Sequence, residues 1–329
     1  MTTSGTYSFS VSRDDLVREA MLNIRKLDAY STIDPVDLAD VVRKLNMMVK
    51  QWMTKQDFAP GLKMWQRQRS DLFLSSTKGQ YALGPSGDNW AAGVSTSTTK
   101  NYQSCQLTAN TAASSATLTV GTTAVANFTV ADNVVVVLDS GDTFSSTVAS
   151  KGASTVVLNA VLPSSASSNA YVFNYTTKGQ RPTDILTCLL RDTNGSDTPI
   201  DRMTVEVYEA LTNKTQPGFV ADPTLFYYEQ QLTNGQLYID CAGAQDCTKV
   251  LHFVYLRPIQ DITNPTDNPE YSAEWYNALA WGLAKQIAPM FKANWDQTME
   301  TNFQDALAMA KESSPDSTQT FFQCHAEDF

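Results

Sequence analysis

The chain carries two histidines, His252 and His325. His252 alternates with Leu251 and Phe253 in a β-type run, which predicts a structural role, and His325 lies in a polar C-terminal stretch with no fixed partner. A Ser–His or Cys–His nucleophile needs an imidazole held rigidly beside it, and neither context offers one. No G-x-x-x-x-G-K-[ST], G-x-G-x-x-G, G-x-S-x-G or H-E-x-x-H pattern occurs. Paired carboxylates can hydrolyse glycosides without histidine. Asp14/Asp15, Asp139/Asp142 and Glu327/Asp328 are near enough in sequence, but such pairs are ordinary in an acidic chain. Asp139-Ser-Gly-Asp142 reads instead as a hairpin turn. Cys105, Cys188, Cys241, Cys247 and Cys324 are odd in number and irregularly spaced, and the Cys241–Cys247 interval is too wide for a zinc knuckle. Free thiols in a reducing compartment are expected, with no metal and no cofactor.

Aromatic side chains between cations could stack nucleic-acid bases. Lys63, Trp65, Arg67 and Arg69 alternate in that way, yet the rest of the chain is acidic, which favours a structural reading. Lys plus Arg is 24 against 34 for Asp plus Glu, giving a net charge of −10. That balance opposes an electrostatic grip on DNA or on anionic lipid. No apolar run is long enough to span a membrane. The N-terminus is polar and unlike a secretory signal, so the Asn-x-Ser/Thr triplets at Asn127, Asn174, Asn194 and Asn213 are expected to be chance matches.

Three composition zones must position these residues. In residues 1–94, Ser12 with Asp15 forms a short-armed capping box before a stripe that includes Leu16, Val17, Ala20 and Met21. Asp34-Pro35 starts a second helix, whose stripe includes Leu45, Met48, Val49 and Trp52. Residues 95–178 hold six charged residues in 84, with short β-type runs about every ten residues, which predicts a small barrel or sandwich. From 179 onward, RPTDILTCLL, MTVEVYEAL and KVLHFVYLRP read as strands, and Asn234-Gly235 marks a hairpin. Asn268-Pro269 opens a helix with Tyr271, Trp275, Leu279 and Leu283 on one face, expected to break at Pro289, and another helix follows to Lys311. The expected fold is α+β. N- and C-terminal helix pairs form a bundle around Leu45, Trp52, Trp275, Leu279 and Leu283, with a small β-sheet and hairpin region and an inserted all-β domain. The expected division is a core of 1–94 with 179–312, an insertion at 95–178 and a tail at 313–329. KGQYALGP and RPTDILT are expected to be neighbouring strands, so that the insertion could be excised.

Outside the insertion, the pieces in order resemble the head-to-tail adaptor (connector, or packaged-DNA stabilisation) family of tailed bacteriophages. They are DLVREAMLNI, DPVDLADVVRKLNMMVKQWM, LFLSSTKGQYALGPSGD, RPTDILT, LFYYEQQLTNGQLYI, LHFVYLRPIQDIT and NPEYSAEWYNALAWGLAKQIAPMF. The insertion resembles the small β modules that some of these adaptors carry, and CAGAQDCTK departs from the family's shorter turn. The resemblance implies a structural virion protein with no catalytic residues. It would form a ring, usually of twelve copies, between the portal and the tail nozzle, assembled in the host cytoplasm. Genomic DNA would pass without sequence-specific binding, and twelve acidic copies totalling about −120 would keep phosphate from sticking. The C-terminal segment, with Phe321, Phe322 and Phe329, would dock on the portal. Two other readings remain open: an insertion that binds a host glycan or another tail component, and a virion-associated cell-wall hydrolase.

Overall fold

The computed structural model describes residues 9–28, 30–54, 66–76, 78–93, 101–212, 214, 222–240 and 246–312. Its chain divides into two compact units, 1–66 with 259–329 and 67–258. Among the described residues there are five α-helices: α1 (Arg13–Asn23), α2 (Pro35–Thr54), α3 (Val205–Ala210), α4 (Tyr276–Ile287) and α5 (Gln297–Glu312).

The first unit is helical. Ser12 Oγ accepts from the Asp15 N–H at 3.3 Å, while the Asp15 carboxylate accepts from the Ser12 N–H at 3.3 Å, so both ends of the capping box are closed. Asp34 Oδ1 accepts from the Val36 N–H at 2.8 Å and starts α2. α1, α2, α4 and α5 bury one continuous apolar cluster. α4 passes through it on small residues. A Cβ on Gly282 would lie 2.5 Å from the Trp52 ring, so only glycine lets α2 and α4 approach this closely.

The second unit is built on two sheets. One has eight strands: β1 (Arg67–Phe73), β2 (Gln80–Leu83), β3 (Trp90–Ala92), β10 (Asp184–Arg191), β11 (Asp197–Arg202), β12 (Leu225–Glu229), β13 (Gly235–Ile239) and β14 (Val250–Leu256). Their order is β2-β13-β12-β11-β10-β14-β1-β3, antiparallel except for β11 beside β12. The other has six: β4 (Gln103–Gln106), β5 (Thr117–Thr119), β6 (Asn133–Val137), β7 (Thr143–Lys151), β8 (Thr155–Leu158) and β9 (Tyr171–Tyr175), in the order β4-β9-β6-β7-β8-β5. It curls until Thr108, just past β4, donates its N–H to Thr119 of β5 at 2.8 Å. The interior of this curl is apolar, with Leu118, Phe128, Val134, Val136, Val156 and Val172.

The opposite face of the six-stranded sheet carries aromatics that meet the eight-stranded one. Phe73 lies 5.1 Å from Phe173 and 5.4 Å from both Tyr102 and Tyr175, ring centre to ring centre. The Ala92 N–H donates to Thr177 O at 3.0 Å, which closes the two chain crossings side by side.

Several expectations are corrected. The α+β class, a helical bundle with a small β region, is overturned: among the described residues, fourteen strands in two large sheets outweigh five short helices. The helices announce themselves through local caps and stripes, whereas strands such as β3, β4 and β11 are short and show no alternation of their own. MTVEVYEAL is α3 rather than a strand, because Thr204 accepts from the Val207 N–H and caps a turn that the V-E-V pattern also permits as a strand. The helix expected from Asn268-Pro269 begins only at Tyr276, after a 3-10 turn at Ala273–Trp275. KGQYALGP and RPTDILT are not neighbours: β2 is an edge strand paired with β13, and β10 lies between β11 and β14. The six-stranded sheet falls inside residues 95–178, but by compactness it shares a unit with the eight-stranded sheet.

Candidate functional site

Where sequence reasoning looked for chemistry, the structure places hydrogen-bonded turns. Asp15 is spent on the α1 cap, and Asp14 pairs with Arg13 at 2.7 Å. Asp139 accepts from Ser165 Oγ at 2.7 Å and the Ser167 N–H at 2.8 Å, and the Ser165 hydroxyl leads in holding its carboxyl below the usual range. Asp142 accepts from Ser75 Oγ and from the Thr143 N–H at 2.7 Å. Between them Gly141 takes φ +80°, which completes the β6–β7 hairpin turn. Burial pushes the Cys105 thiol up to about 11 and Cys247 up to about 12, and drives Cys188 higher still. These are inert thiols rather than nucleophiles. Cys241, Cys324, His325, Glu327 and Asp328 lie outside the described residues.

His252 has a partner that sequence reasoning missed. It stands opposite Asp71 across β14 and β1, and its Nδ1 is 2.8 Å from Asp71 Oδ1, with both side chains fully enclosed. Asp71 Oδ2 accepts from the Asn101 N–H at 3.1 Å and from Asn101 Nδ2 at 3.2 Å. Nearby, Arg191 of β10 grips Asp197 of β11 through two bonds of 2.7 and 2.8 Å, which lowers the Asp197 carboxyl and raises the Arg191 guanidinium. Burial first, then the Asp71 charge, pushes the Tyr102 phenol up. The available signal was a polar residue at the head of one apolar run, in SDLFL, and inside another, VLHFV. This network fixes strand register, since a one-residue slip would leave both buried polar side chains without their partner.

The five residues expected in a bundle core, Leu45, Trp52, Trp275, Leu279 and Leu283, all sit in the apolar cluster of the helical unit. Trp52 meets Trp275 edge-on at 6.5 Å. Asn46, next to Leu45, satisfies both Ile262 backbone groups at 2.9 Å and so ties α2 to the segment before α4. On the outer side of α2, Met47 is 57% exposed. Arg43, Asn46, Met47 and Lys50 form a groove of about 510 Å3 with Asp261 and Thr263. Arg67 and Arg69 lie on β1, while Lys63 and Trp65 lie outside the described residues, as do Phe321, Phe322 and Phe329.

Among the described residues, no group of three or more His, Cys, Asp or Glu side chains is arranged to hold a metal ion. No helix among them is long and apolar enough to cross a membrane. No protein-family model matches the sequence, and no curated protein matches it.

Proposed function

We propose that this chain is a structural adaptor of a bacteriophage virion, a ring-forming protein seated between the portal and the tail nozzle. One observation carries the reading. The pieces that resemble the adaptor family at the two ends of the chain, more than 200 residues apart, supply one shared apolar core. Trp52 and Leu45 from the first pair meet Trp275, Leu279 and Leu283 from the second. Net charge supports it too, since an acidic channel lets DNA slide without binding sequence. Of the carboxylates that could have argued for a cell-wall hydrolase, Asp15 is held in a cap and Asp139 and Asp142 in a turn.

Electron microscopy of the purified full-length chain, alone and with a portal protein, tests this. Closed rings, alone or on the portal, are the expected result, and dispersed monomers under both conditions would overturn it. Truncation after Ser314 should leave rings intact and abolish co-sedimentation with the portal, because Phe321, Phe322 and Phe329 are removed. Undiminished co-sedimentation would refute portal docking by the tail, and loss of rings would assign the tail to self-packing.

A further inference from the structure

The interior of the six-stranded curl follows a simple rule. Side chains that face inward are apolar, as Val172, Val134 and Val136 are. At one mouth that rule is broken twice. Asn174 stands directly across from Val134 on one side and Gln103 on the other, so it shares their face two residues beyond Val172. Asp132 closes the same mouth from the turn before β6. Both side chains are only 4% exposed.

Neither side chain has an atom sealed away without a partner, so their unused hydrogen-bonding capacity opens onto the cavity. Each of these has half of what it needs. Asn174 Nδ2 donates to Asn127 O at 2.9 Å, and Asp132 Oδ2 accepts from the Thr129 N–H at 2.8 Å. Asn174 Oδ1 and Asp132 Oδ1 have no hydrogen-bond partner among the described residues. They line a cavity of about 280 Å3, against roughly 30 Å3 for one water, at the low end of small-ligand pockets. Gln103 and Thr129 add an amide and a hydroxyl at its rim, and the buried Tyr102 and Tyr175 also line it.

We infer that this mouth is a binding site for a single sugar ring. Two acceptors in the floor call for a ligand that donates hydrogen bonds. A carboxylate among them turns away phosphate and other anions. Rim groups that can both donate and accept suit hydroxyls. The cavity admits one ring, not a chain of them. Nothing in this inference depends on the adaptor reading, since a lone subunit would show it.

Saturation-transfer NMR on the full-length chain tests it. The probes are the methyl glycosides of glucose, galactose, mannose and N-acetylglucosamine at millimolar concentration, with methylammonium and inorganic phosphate as controls. Transfer to at least one glycoside and none to phosphate is expected. Asn174→Leu restores the apolar rule of the interior, so it should abolish transfer without lowering the melting temperature. Asp132→Asn keeps the turn to Thr129 and should weaken binding about tenfold. If Asn174→Leu fails to fold, Asp132→Asn decides alone. No transfer to any glycoside, transfer to methylammonium only, or glycoside binding unchanged in the folded variants would overturn the assignment and leave the cavity to water.

Discussion

The helical unit and the β unit solve the burial problem in opposite ways. The helices close on hydrocarbon, with Leu45, Trp52, Trp275, Leu279 and Leu283 in one cluster and charges kept at the rim. The eight-stranded sheet buries polar groups, Asp71 hydrogen-bonded to His252 and an Arg191 that reaches out to an exposed Asp197, inside an otherwise apolar layer. Helices draw every backbone bond from their own segment, so their packing needs only shape. Strands draw theirs from distant segments and must be told which register to adopt. A buried polar pair adds little net stability, but a mismatch leaves both groups unsatisfied, so it discriminates between registers.

The largest expected effect comes from removing the six-stranded sheet, which tests whether the β unit is one body. Replacing residues 101–178 by a Gly/Ser linker exposes Phe73, Ala91 and Val250, and a buried Phe alone is worth roughly 1.5–3 kcal/mol. An aggregated product is expected. A soluble, monodisperse one, read by sedimentation, would show that the sheet is an independent module.

Next come two substitutions of similar size and different remedy. Asp71→Ala should cost about 3 kcal/mol, because His252 keeps its burial and loses its partner. Adding hydrophobes at both positions, Asp71→Leu with His252→Leu, should recover most of that loss in denaturant titrations. If the double variant is as unstable as Asp71→Ala, the pair is more than a register lock. Trp275→Ala should also cost about 3–5 kcal/mol, through the cavity it leaves beside Trp52. A melting temperature within a degree or two of wild type would remove Trp275 from the helical core.

The smallest effect is at the helical rim. Lys285, Gln304 and Trp295 all donate to Glu300 and lower its carboxyl from the ordinary 4.5 to about 2. The sign follows from linkage: the contribution is complete above pH 4.5 and is lost as pH falls through about 2. In so exposed a position it should amount to less than about 1 kcal/mol. Melting curves over that range should be steeper in pH for wild type than for Glu300→Gln, and identical curves would mean that the bonds do not hold in solution.

Read alone, the sequence determined what depends on neighbours in the chain. The Ser12–Asp15 box, the Asp34 cap, the stripes of α1, α2 and α5 and the β6–β7 turn at Gly141 are all short-range chemistry. It also determined the acidic balance and the want of catalytic motifs. Tertiary structure alone decided the rest. The weight of β structure comes from strands as short as WAA and QSCQ, which gain meaning only from the partners they meet. Thr204 capping α3 overrode a β-type pattern, and edge strand β2 found β13 rather than β10. Asp71 and His252 are separated by 181 residues. Asn174 looks like any polar residue in a Ser/Thr-rich stretch until β6 places Val134 opposite it and shows which side is the inside. Sheet pairing is non-local, and a side chain's face is known only once its strand's register is.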